Sequence, residues 1–192
     1  MDLSPRPTAV KAARVLDLYA RVWEGEPLGE NDFVLSADEK PGVQARYRKH
    51  HPLPAGPRIV PFSRLVDQVM TSEPYASARR VFWIVDNGAS HRNWPAAARL
   101  NDAFSHAHMI HLPVHASWLN QVEIYFSAVQ RKALTPDDFY DLNEVEQRLL
   151  SFHSRYNTTA RPFGWTFTRH DLNQLLTRIG RHDRHAPQPL AA

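Results

Sequence analysis

Three acids in this chain stand where they could share one cation. Val81-Phe82-Trp83-Ile84-Val85-Asp86-Asn87 is an apolar run that ends in a carboxylate. Phe33-Val34-Leu35-Ser36-Ala37-Asp38-Glu39 repeats the pattern upstream. His115-Ala116-Ser117-Trp118-Leu119-Asn120-Gln121-Val122-Glu123 is a short loop entering a helix, with Glu123 in its first turns. Magnesium and manganese favour hard oxygen ligands. Neighbouring strands lie about 4.8 Å apart, close to the roughly 4 Å that separates the ions of a two-metal phosphoryl-transfer site. Ligands of open α/β sheets gather beyond the carboxyl ends of strands, and both aspartates fall at such ends.

Each acid also has a plainer reading. An Asp after a strand is often a turn former or a helix cap, and Asp86-Asn87-Gly88 is good turn sequence. Glu123 lies on the flank of its helix, about 120° from the centre of the apolar stripe at 100° per residue. Successive strand residues face opposite ways, so at most one of Asp38 and Glu39 serves. Asn87 and Asn120 either orient ligands or bond backbone, and His91 either approaches the acids or a phosphate or shapes a turn. A rival zinc site rests on His106, His108, His111 and His115, since imidazole suits zinc. That segment runs into an apolar strand and holds no acid. There is no cysteine, no Gly-x-Ser-x-Gly elbow and no glycine-rich phosphate loop.

The elements that must position these acids read as follows. Apolar residues at three- and four-residue steps predict a helix over 8–23, stopped by Gly25. A buried strand is expected at 33–37, then a proline-rich basic loop over 46–61. Leu65, Val66 and Val69 mark one face of a helix at 62–71. The unbroken apolar run at 80–85 suits a strand covered on both faces of a parallel sheet. A helix at 95–104, a strand at 108–114 and a helix from a Ser117 cap to about residue 134 follow, with Trp118 in the apolar stripe of the last. Asp141 to Glu144 fits a capping box that opens a helix to about residue 156, with Leu142 facing inward. A final helix at 170–179 is expected to end at Gly180, leaving 181–192 as a disordered basic tail. This alternation means an α/β sheet with crossovers.

The chain has 192 residues, 43% apolar and 22% charged, enough for one domain with a real core. No run of 18 apolar residues exists, and Met1-Asp2-Leu3-Ser4-Pro5 carries no secretory leader. The absence of cysteine fits a reducing cytoplasm. Net charge is +3 and the isoelectric point is near 9.4, compatible with a polyanionic partner. Arg46, Arg48, Lys49, His50 and His51 form one basic cluster and Arg178, Arg181, His182, Arg184 and His185 another; each either contacts phosphates or is plain solvated surface, a loop and a frayed tail.

Two segments carry a family resemblance. Val85-Asp86-Asn87-Gly88-Ala89-Ser90-His91-Arg92, followed by Leu112-Pro113-Val114-His115-Ala116-Ser117-Trp118-Leu119-Asn120-Gln121-Val122-Glu123, resembles the DDE-type transposases of bacterial insertion sequences related to mariner elements. The interval of 37 residues from Asp86 to Glu123 matches that group. Ser36-Ala37-Asp38-Glu39-Lys40-Pro41-Gly42-Val43-Gln44-Ala45 resembles the segment of its first acid, which favours Asp38 over Glu39. Tyr156-Asn157 and Arg161-Pro162-Phe163-Gly164-Trp165 resemble its C-terminal region, so the likeness spans roughly 8–180.

The resemblance implies a ribonuclease-H-like fold and a catalytic, metal-binding triad of Asp38, Asp86 and Glu123 with two magnesium (or manganese) ions. Asn87, His91, Asn120, Arg46, Arg48 and Lys49 would support the triad or contact DNA. The implied activity is cleavage and strand transfer of double-stranded DNA in transposition. The chain would act in the bacterial cytoplasm at the nucleoid, with no membrane or small-molecule substrate, paired with itself or with an intact transposase. Two departures stand out. This family carries helix-turn-helix modules before the catalytic domain, and with a domain read as 1–180 the recognition of element ends is expected to be lost or supplied by another chain. The interval from Asp38 to Asp86 is 48 residues, about half the family's span, and implies deletion of an edge β-hairpin. The expected core is then about three parallel strands flanked by helices, and the alternative reading is a catalytically dead remnant that binds DNA weakly.

Overall fold

A computed structural model describes residues 7–40, 59–88, 93–135, 139–161 and 164–185. The elements in order are α1 (Pro7–Tyr19), β1 (Val22–Trp23), β2 (Glu26–Pro27), β3 (Asp32–Ala37), α2 (Ile59–Met70), β4 (Arg80–Val85), α3 (Asn93–Ala103) and β5 (Ala107–His111). A 3₁₀ turn at Ser117–Leu119, α4 (Val122–Val129), a wider π turn at Gln130–Leu134, α5 (Leu142–Thr159) and α6 (Arg169–His185) complete the chain.

Strands β3, β4 and β5 form a parallel sheet in that order. Its central strand explains its own sequence. Phe82 and Ile84 join Val15, Leu16 and Leu18 of α1 and Leu172 of α6 in one cluster. Val81, Trp83 and Val85 join Val66 and Met70 of α2 and Leu100 of α3 in another. Both faces of β4 are therefore covered, and after Arg80 every position from Val81 to Val85 is apolar. The two crossover helices share one side of the sheet, as crossovers of a single hand require when strands follow in sequence order. Burying a Val, Ile, Leu or Phe side chain stabilises by about 1.5–3 kcal/mol, so these two layers supply most of the driving force. A third cluster, Val129, Ala133, Leu134, Phe139, Val145 and Phe152, joins α4 to α5.

Several boundaries differ from the sequence reading. Helix α1 stops at Tyr19, and Arg21 turns left-handed with φ 61°. Glu24 and Gly25 then take φ values of 52° and 88°, the geometry of a two-residue hairpin turn that pairs Trp23 with Glu26. Trp23 mimics helical periodicity because it reaches the same core from the hairpin, 4.7 Å from the Phe82 ring. Helix α2 begins at Ile59, so Pro61 sits in a first turn, where a missing amide hydrogen costs nothing. Strand β5 ends at His111, and Pro113 stands beyond it. Leu65 and Leu142 are exposed, and α6 continues through Gly180 to His185. Asp141 does cap α5, accepting the Glu144 amide at 3.0 Å, while Glu144 accepts the Tyr140 amide at 2.8 Å. No helix among the described residues is long and apolar enough to cross a membrane.

One buried ion pair fixes the amino end of the sheet. Asp32, 0% exposed, receives Arg80 Nε at 3.0 Å, Arg80 Nη2 at 2.8 Å and the Gly29 amide at 2.8 Å. Arg21 closes the same corner by donating to the carbonyls of Asp32 and Gly29, each at 2.7 Å. The Arg80 hydrogen bonds hold the Asp32 carboxyl at about 2, against an ordinary 3.8. A folded-state pKa below the unfolded one means stability present above pH 4 and lost as pH falls through 2, worth on the order of 2 kcal/mol. Urea midpoints measured between pH 5 and pH 2 should fall more for the wild type than for Asp32→Asn. At pH 7, Asp32→Ala should cost about 3–5 kcal/mol, because it strands the half-buried Arg80.

Candidate metal centre at the carboxyl edge of the sheet

The register of β3 on β4 decides where the first two acids go. Ala37 pairs with Val85, so Asp38 and Asp86 are each the first residue beyond their strands, side by side at one edge. Both are half-buried, whereas Glu39 is exposed. Each carboxylate caps its own turn. Asp38 Oδ1 accepts the Glu39 amide at 2.7 Å, and Asp86 Oδ1 accepts the Gly88 amide at 2.6 Å. Asn87 donates to the Leu112 carbonyl at 2.9 Å, which ties the exit of β4 to the exit of β5.

Glu123 arrives differently. The expected single helix from Ser117 breaks into the 3₁₀ turn, α4 and the π turn. Ser117 caps nothing with its side chain, because Ala116 and Gln121 occupy the two cap positions. Glu123 is exposed in the first turn of α4, and α4 packs into the cluster with α5 rather than into either cluster of the sheet.

What joins this helix to the sheet is a set of polar contacts around Tyr19 and Asn120. The Tyr19 hydroxyl donates to the Leu119 carbonyl at 2.7 Å and accepts the Gln121 amide at 3.2 Å. Its one proton is thereby committed, so Ser36, 3.3 Å away on β3, is the donor in their contact. Asn120, 0% exposed, donates from Nδ2 to the Ala37 carbonyl at 3.1 Å. The turn that launches Glu123 is thus bonded directly to Ala37, the residue before Asp38, and through Tyr19 to Ser36. The Oδ1 of Asn120 is buried with no hydrogen-bond partner among the described residues. Such an orphan costs about 1–3 kcal/mol. The orphaned oxygen belongs to the side chain that bonds the Ala37 carbonyl, just before Asp38 in sequence.

The donor types suit a hard divalent ion: three carboxylates and an amide oxygen, with no sulfur. Among the described residues, no three His, Asp or Glu side chains stand close enough together to hold one ion. The backbone brings Asp38 and Asp86 together, and a shared ion requires the side chains, Glu123 included, to turn toward it. His91, Arg46, Arg48 and Lys49 lie outside the described residues. The histidines of the rival zinc site are dispersed. His106 contacts the Tyr75 carbonyl at 3.2 Å, while His108 stacks on Phe82 at 5.2 Å. Burial, aided by the Arg80 charge, pushes the His108 pKa down. His115 is exposed, with φ 62°.

Spacing gave no sign of Tyr19, whose role depends on contacts a hundred residues away. Burial raises its pKa above the usual 10. A group raised in the fold contributes stability fully present below pH 10 and lost as pH climbs through the folded value. Tyr19→Phe should lower the unfolding free energy measured in urea by about 1–3 kcal/mol at pH 7 and flatten the loss of stability above pH 10. A variant as stable as the wild type at pH 7 would show that the hydroxyl joins nothing.

Comparison with protein-family models, curated proteins and solved structures gives no match.

Proposed function

We propose that this chain is the catalytic domain of a DDE-type transposase of bacterial insertion sequences related to mariner elements. It would be built on a ribonuclease-H-like core and cleave and transfer strands of double-stranded DNA. The observation that carries the reading is the pairing of Ala37 with Val85, which sets Asp38 and Asp86 next to each other at the carboxyl edge of a parallel sheet. Two supports accompany it: the turn before Glu123 is bonded to the end of β3, and the sequence around all three acids resembles that family.

In this reading Asp38, Asp86 and Glu123 hold two magnesium or manganese ions. When bound, the ions supply charge stabilisation at the attacking and leaving oxygens of the phosphodiester. The chain supplies the rest. The sheet edge fixes two carboxylates through its backbone, Asn87 steadies the loop after Asp86, and Asn120 with Tyr19 fixes the approach of Glu123. Arg46, Arg48 and Lys49 contact DNA phosphates, an attraction that weakens as salt rises. The protein works at the bacterial nucleoid, paired with itself or with an intact transposase.

A second reading has its own observation. β3 is an edge strand of the described sheet, the position where the family carries a β-hairpin. A sheet reduced in this way holds its acids less firmly, and a misplacement of about 1 Å costs on the order of 10²-fold in rate. The chain is then a remnant that binds DNA without cutting it.

Supercoiled plasmid with magnesium or manganese separates the two. Catalysis predicts metal-dependent nicking that falls at least roughly 100-fold in Asp86→Asn, Asp38→Asn and Glu123→Gln, more than loss of a supporting contact costs. A folded wild type that binds DNA and never nicks it establishes the remnant instead.

A further inference from the structure

The loop between β5 and α4 holds an indole that the core does not use. Trp118 is expected in the apolar stripe of a helix, yet it is 49% exposed, while its neighbour Leu119 is fully buried. Both residues sit in the 3₁₀ turn Ser117–Leu119, which ends before α4 begins and in which neighbouring side chains point about 120° apart. The ring is not loose. It meets Phe167 edge to face, with centroids 5.0 Å apart and planes at 88°. Phe167 is itself held. Its carbonyl accepts Trp165 Nε1 at 2.8 Å, its ring packs on the α1–α6 cluster, and Trp165 packs edge to face with Tyr19 at 5.3 Å. The same loop exposes Val114 at 59%.

An aromatic ring that is half-exposed, braced from behind and placed at the ligand-gathering edge of the sheet has a specific use. We infer that Trp118 is a stacking platform for an unpaired nucleobase of the DNA strand being processed at Asp38, Asp86 and Glu123. The inference rests on the DNA-cleaving reading and adds a subsite to it. The position supports it: Trp118 precedes Glu123 by five residues, and the intervening turn is bonded to Ala37, beside Asp38, and to Tyr19, which in turn contacts Ser36. The chemistry supports it as well. Every base has a π face, so a braced indole holds a displaced base whatever its sequence, and such stacking contributes about 1–3 kcal/mol per base. A surface Trp elsewhere on the molecule would carry no such argument. Here the loop that carries the ring leaves β5 at the same edge of the parallel sheet from which Asp38 and Asp86 leave β3 and β4.

The test uses the full chain with calcium and a short oligothymidine that contains one 2-aminopurine. Wild type should bind and quench the 2-aminopurine. Trp118→Ala should weaken binding about tenfold and restore the emission. Trp118→Leu, which keeps apolar bulk without a π face, should behave like Ala, and Trp118→Phe should stay within about threefold of wild type. Thermal melts of the three variants close to that of wild type verify that an exposed ring was changed without unfolding the chain. Equal binding and equal quenching by Trp118→Ala overturn the platform, as does full rescue by Leu. If such a Trp118→Ala protein comes with a wild type that nicks plasmid, the platform alone fails. If wild type neither binds the oligonucleotide nor nicks, the DNA reading fails with it.

Discussion

The hydroxyl of Tyr19 and the amide of Asn120 are the hinge on which the candidate site depends. Two acids need no help, because the sheet places them: once β3 and β4 pair with Ala37 opposite Val85, Asp38 and Asp86 leave the sheet together. The third acid rides a helix whose apolar face belongs to a different cluster. Without polar contacts between the turn and β3, little would relate Glu123 to the aspartates. Each hydrogen bond contributes only about 1 kcal/mol. Several of them converge on residues 119–121, in buried or half-buried surroundings where a broken bond leaves a polar group stranded.

The two-layered core and this junction divide the labour. Apolar burial on both faces of β4 drives folding, and the Asp32–Arg80 pair closes the amino end of the sheet. The carboxyl end is left to turns, side-chain amides and one phenol. Such an end is easier to adjust than a packed core. That also makes it the first to suffer when strands are removed from the sheet. Among the described residues β3 is an edge strand, and such an edge is a liability for association; it ends next to one of the acids.

What the sequence disclosed follows from how local each signal is. β4 was legible because burial on both faces forces an unbroken apolar run. The cap at Asp141 was legible because cap and first turn lie within four residues. The breaks were not. Trp23 continued the stripe of α1 while belonging to a hairpin, since both routes end in the same cluster. The stretch from Ser117 to Leu134 read as one helix because its apolar residues keep near-helical steps through a 3₁₀ turn, an α-helix and a π turn alike. Asp38 and Asp86 were visible as strand-ending acids. Their adjacency was not, because strand order is a long-range property. Tyr19 had no local signature, since its partners lie on β3 and near residue 120.

The most direct measurement is affinity cleavage with ferrous iron in place of magnesium, using ascorbate and peroxide to cut the backbone beside the bound ion. The account predicts cuts near residues 38, 86 and 123 in the same reaction, all suppressed by excess magnesium and all lost together in Asp86→Asn. Cuts confined to the first two segments, or a 123 cut that persists in that variant, would show that Glu123 does not share an ion with the aspartates, and the assignment would fail.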